Sequence, residues 1–142
     1  MGTWGSGPFD SDSAMDLVET LSPLSMDERI DQIRRIFDAA LRDAEAGTTT
    51  VVPEEVLAGA AVVAANLPKS IGCSWPEADP DLAQWLPHPL PGEFPAQAKA
   101  ALRVAIPVHG WWWQSWVDAA DKAAMEWTVE RIETALDSAS TP

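Results

Sequence analysis

The sequence predicts an all-α fold, a single compact multi-helix domain of about five to seven helices built around a central apolar helix at about 53–66. Three observations predict it. Apolar residues recur at i, i+3, i+4 and i+7 through most of the chain, and no alternating stretch reads as a strand ladder. Helix start and stop residues bracket those stretches. The run VLAGAAVVAA, residues 56–65, carries no polar side chain, and a helix that is apolar all round is buried all round. A chain of 142 residues corresponds to one domain, residues 1–142, large enough to bury a core without metal or disulfides.

The first helix is marked by Ala14, Leu17, Val18 and Leu21, and Pro23 stops it. Asp10 stands where its N-cap is expected, with Phe9 before the cap packing back on it and Asp12 in the positive first turn. Ser25-Met26-Asp27-Glu28 reads as a capping box, Ser25 the cap and Glu28 reaching back to it. The helix it starts places Ile30, Ile33, Phe37, Ala40, Leu41 and Ala44 on one face and ends at Gly47, a left-handed cap. Pro53 opens the central helix, with Glu54 and Glu55 at its positive end. Gly59 and the many alanines let neighbouring helices approach it closely.

Residues 68–95 read as a proline-rich connection with one short helix, Pro80 to Leu86, capped by Asp79. The run PHPLPGEFP is expected to lie extended on the surface. A fifth helix runs from about Pro95 to Ile106 with Ala98, Ala101, Leu102 and Ala105 inward, and Pro107 stops it. The last segment, Trp111 to about Ser138, shows two apolar faces. Trp113, Trp116, Val117, Ala120, Ala124 and Trp127 share one; Met125, Val129, Ile132 and Leu136 share another. A break near Asp121 accounts for the two faces, as does a long helix contacting two neighbours. Residues 138–142 are expected to fray.

Charge narrows the partners. The chain has 22 acidic and nine basic residues, a formal net charge of −13. Four of the bases, Arg29, Arg34, Arg35 and Arg42, share one segment, where Asp31–Arg35 and Asp38–Arg42 stand at helical i,i+4 spacing and neutralise each other. Phosphate backbones and anionic membranes need a free basic stripe, so neither is expected as a partner. No apolar run approaches the roughly 20 residues of a membrane span. The single cysteine, Cys73, forms no internal bridge, which suits a reducing, cytoplasmic setting.

The first fourteen residues, MGTWGSGPFDSDSA, admit four readings. Gly2 and Ser6 fit an N-myristoylation pattern, but no basic patch supplies the second anchor. Gly2, Gly5 and Gly7 lack the preceding strand and the following Lys of a phosphate loop. Asp10, Asp12 and Asp16 are weak metal candidates: the spacing departs from a calcium loop, with Ala14 and Met15 where a ligand and glycine belong. The fourth reading is an ordered N-terminal arm, residues 1–10, that tucks Trp4 into the core. It asks only for ordinary packing and is preferred.

The stretch MGTWGSGPFD resembles the start of a group of small bacterial proteins known as domain of unknown function 4259. The likeness continues through the aspartate-rich helix after Phe9, the alanine-rich helix at 56–65 and a final region with Trp116 and Trp127. The prolines of 68–95 and the triple tryptophan at 111–113 stand outside it. The resemblance implies a bacterial, soluble, helical protein. It implies no reaction and brings no catalytic residue.

Nothing in the sequence assembles a catalytic centre. His88 and His109 are flanked by proline or glycine and belong to no catalytic motif, and Cys73 with two distant histidines falls short of a zinc set. No cofactor is expected. Eight tryptophans say more, four of them in WWWQSW at 111–116. On a helix Trp113 and Trp116 face the buried stripe, Trp112 sits at its margin and Trp111 points away. Either the proline-rich segment 87–95 covers these rings, or they form a binding surface. The expected role is a non-catalytic, immunity- or inhibitor-like protein, monomer or homodimer, whose acidic surface meets a basic protein partner. Alternatives are a small-molecule-binding protein or enzyme with a pocket of Trp75, Trp85, Trp111 and Trp112 beside His88 and His109, and an accessory, oligomer-forming subunit.

Overall fold

A computed structural model describes residues 8–9, 11–48, 50–68, 81–107, 110–116 and 118–140. Among these the chain forms α1 (Asp12–Leu21), α2 (Met26–Ala46), α3 (Pro53–Ala65), a 3-10 turn (Leu82–Gln84), α4 (Phe94–Ala105), α5 (Trp111–Gln114) and α6 (Ala119–Ser140), with no β-strand. The fold is all-α, as the periodicity requires. No described helix is long and apolar enough to cross a membrane.

The architecture follows from α3. Val56 to Ala64 are all buried, so apolar faces must cover this helix on every side, and α1, α2, α4, α6 and the 3-10 turn do so. Gly59 permits the closest approach: a Cβ there would meet Phe37 Cε1 at 3.3 Å and Ile33 Cγ2 at 3.5 Å. The covering faces are those that the spacing predicts. Leu17 and Leu21 come from α1, Ile30, Ile33, Phe37 and Ala40 from α2, Ala98, Ala101 and Leu102 from α4, and Met125, Val129, Ile132 and Leu136 from α6.

Polar groups fix the helix ends. Ser25 and Glu28 form the reciprocal capping box of α2, with bonds of 3.0 and 3.2 Å. Gly47 closes α2 in the left-handed region at φ 69°, a conformation that costs glycine least. At the far end of α3 the buried side chain of Asn66 donates to the Val62 and Leu82 carbonyls and accepts from the Leu86 N–H. It thereby ties α3 to the 3-10 turn. Arg29 completes that corner. It donates to the Leu21, Ser22 and Trp85 carbonyls and stacks 4.7 Å from the Trp85 ring centre.

Five local expectations need correction. Ser11, not Asp10, caps α1, its Oγ accepting from the Ala14 N–H at 3.1 Å; serine and aspartate cap equally well, and Asp10, like Trp4, lies outside the described residues. In the described part of the expected helix, residues 81–86, there is only a three-residue 3-10 turn, Leu82–Gln84; Asp79 and Pro80 are outside the described residues. Phe94, like Pro95, does not lie on the surface as expected for PHPLPGEFP. It opens α4, is fully buried, and packs on Phe37 with ring centres 5.7 Å apart. Ala44, expected on the buried face of α2, is exposed because that helix outruns the neighbours that cover its middle.

The two-faced C-terminal segment also departs from expectation. The helical break falls between Ser115 and Asp118 rather than at Asp121. Asp118 caps α6, its Oδ1 accepting from the Ala120 and Asp121 N–H groups at 2.9 and 3.0 Å. Beyond the break only the Met125 face enters the core. Ala120 is exposed, and Trp127 is 61% exposed with the Arg131 guanidinium 4.6 Å from its ring centre.

Asn66→Ala should destabilise the protein by about 2–3 kcal/mol, because buried carbonyl and N–H groups lose their partners. Chemical denaturation at neutral pH measures this. A midpoint unchanged from wild type would show that Asn66 does not hold the two segments together.

Candidate functional site

The residues expected to form one aromatic site do not all meet. Trp85 is 4% exposed and sits at the C-terminal end of α3, sealed by Arg29. Trp112 sits at the other end, where its indole N–H donates to Glu54 in the first turn of α3 at 2.7 Å. Thirteen residues make α3 about 20 Å long, so Trp85 and Trp112 cannot line one pocket. His88 is exposed in the segment that follows Trp85. Trp75 and His109 lie outside the described residues. Asp12 and Asp16 are exposed on α1, and among the described residues no group of three or more His, Cys, Asp or Glu side chains is placed to hold a metal.

The triple tryptophan separates into three roles. Trp112, expected at the margin of the buried stripe, is 3% exposed. A helical wheel extrapolated across the break misplaces it, since α5 is a four-residue turn with its own orientation. Its ring meets Trp113 and Trp116 edge-on, with centres 4.8 and 5.4 Å away. Trp113 is buried as well, and Trp116 is half-buried against the core. Trp111 remains 58% exposed, so of the two alternatives for this ring the uncovered one holds among the described residues.

Trp111 forms one wall of a cleft of about 100 Å³. The other walls are Ala40, Asp43 and Ala44 at the end of α2, Thr48, Val51 and Pro53 of the connection to α3, and Val104, Ala105 and Pro107 at the end of α4. Large exposed apolar side chains gather here. Val104 and Trp111 line the cleft, and exposed Val52 lies between two lining residues, Val51 and Pro53.

One buried carboxylate shapes this cleft, and the sequence reading missed it. Asp43 Oδ1 accepts from the Thr48 and Thr50 hydroxyls at 2.8 and 2.7 Å; Oδ2 accepts from the Thr50 and Val51 N–H groups at 2.8 and 2.9 Å. The Thr50 hydroxyl, opposed by burial and aided by the Val51 N–H, holds its pKa down to about 2. With four donors, Asp43 organises the connection and offers no free base. A signal was available: an aspartate in the last turn of a helix opposes the macrodipole and so needs another source of stability, and Thr48 and Thr50 follow at once. Among the described residues no buried side-chain nitrogen or oxygen lacks a hydrogen-bond partner.

Among the described residues, the fold and the site define a small helical domain with a largely apolar cleft where α2 and α4 end. The chain belongs to the family described as Domain of unknown function (DUF4259), whose model matches residues 2–130. No curated protein and no solved structure matches it.

Two outcomes follow. Asp43→Asn should lower the denaturation midpoint at neutral pH. A carboxylate with a depressed folded pKa contributes stability above its unfolded pKa of about 4 and loses that contribution as the pH falls towards about 2. The gap between wild type and variant should therefore narrow over that interval; a gap constant with pH would contradict the bonding scheme. For the tryptophans, Trp113→Ala should cost about 3–5 kcal/mol, whereas Trp111→Ala should stay within about 0.5 kcal/mol of wild type. Equal losses would place Trp111 in the core.

Proposed function

We propose that this protein is a non-catalytic interaction protein that binds a basic protein partner through the Trp111 cleft. The observation that carries this reading is that exposed Val104 and Trp111 line one concavity of about 100 Å³. That volume suits one anchoring side chain and falls well short of the roughly 300–1,000 Å³ of small-molecule sites. Exposed apolar groups around a pocket are the usual setting of a binding hot spot, and tryptophan is among the residues most enriched there. The net charge of −13 favours encounter with a cationic surface and disfavours contact with a second copy. An inhibitor-like or immunity-like role in a bacterial cytoplasm accords with these features.

Affinity capture from a lysate of the source organism, run in parallel with wild type, Trp111→Ala and Ala44→Phe, tests the proposal. Ala44 is an exposed helix position on the cleft wall, so a phenyl ring there fills the concavity without entering the core. A basic protein retained by wild type, released by salt and absent from both variants is expected. Equal retention by all three proteins would refute the assignment.

A further inference from the structure

We infer that the Trp111 cleft selects an aliphatic side chain that has a lysine or arginine next to it in sequence. The inference rests on the interaction reading above and adds the chemistry of the segment bound. Its basis is electrostatic. Two long helices end at the cleft: α2 contributes Asp43 and Ala44 from its last turn, and α4 contributes Val104 and Ala105. Helix C-termini carry partial negative charge from carbonyls that lack helical partners. The last turn of α2 contains no basic residue. The last turn of α4 contains Arg103, but its guanidinium is engaged by Glu133 at 3.0 Å. Among the described residues no lysine or arginine lines the cleft.

The remaining pole does not reverse this field. Pro53, at the start of α3, also lines the cleft, and a helix N-terminus is positive. Its first turn holds Glu54 and Glu55, however, which offset that charge. Asp43 adds a carboxylate that is already satisfied by four hydrogen-bond donors. The cleft therefore combines an apolar floor, sized for one aliphatic group, with a rim of negative potential. A leucine seated among Ala40, Ala44, Val51 and Val104 would leave the next residue at that rim. A cation there meets two helix C-termini; a carboxylate meets repulsion.

The test uses three capped dipeptides as probes: acetyl-leucyl-arginine amide, acetyl-leucyl-glutamine amide and acetyl-leucyl-glutamate amide. Each is titrated into the full-length protein while the amide signals of Val104 and Ala105 and the indole N–H of Trp111 are followed by NMR. The arginine probe should bind roughly three- to tenfold more tightly than the glutamine probe, the range expected from one or two exposed helix termini. The glutamate probe should bind most weakly, and the differences should shrink in high salt. Ala44→Phe should abolish the shifts for all three. Equal affinity for the three probes would overturn the charge selection while leaving the cleft as an apolar docking site. No shift at these signals with any probe would overturn the docking site itself.

Discussion

A helix with no polar face must be enclosed, and that constraint on α3 governs the rest of this structure. Nine consecutive residues, Val56 to Ala64, are buried, and small side chains dominate them. Neighbouring helices can therefore come close, down to the contact of Phe37 with Gly59. The gain is apolar area removed from water, and it is available only if α1, α2, α4 and α6 all present a matching face. Four amphipathic helices around one apolar helix is the solution this sequence encodes.

Enclosing α3 along its length displaces polarity to its two ends. At the C-terminal end Arg29 donates to the carbonyls of Leu21 and Ser22 at the end of α1, and Asn66 binds the backbone of Leu82 and Leu86. At the N-terminal end Asp43 orders the connection from α2, and Glu54 takes the Trp112 indole N–H. The two ends differ in what they leave uncovered. Trp85 is sealed beneath Arg29, whereas Trp111 is left standing beside the last turns of α2 and α4. The cleft is thus a by-product of where the covering helices stop. Its negative rim has the same origin.

Much of the fold was legible because it depends on short-range rules. The capping box at Ser25, the left-handed Gly47, the proline at the start of α3 and the inward faces of α2 and α4 all follow from spacing and local chemistry. What escaped depends on direction in space. A wheel drawn through Trp111–Trp127 assumes one axis, and the break at Ser115–Asp118 creates two, so Trp112 moves inward and Trp127 outward. Phe94 was hidden by its proline-rich surroundings, although Pro95 fits the first turn of a helix as well as it fits a loop. The candidate site was half visible. The exposure of Trp111 follows from the phase of the tryptophan run. Its neighbours Val104, Val51 and Ala44 come from three segments that only the packing brings together.

In the proposed reading, the Trp111 cleft is the surface a partner covers. Site-specific photo-crosslinking in the source organism tests it most directly, with a benzophenone amino acid placed either at Trp111 or at Met26. Met26 is also exposed, at 44%, but begins α2 whereas the cleft lies at its end. A discrete adduct with a basic protein is expected from position 111 and none from position 26. Identical adducts from both positions, or none from 111, would contradict it.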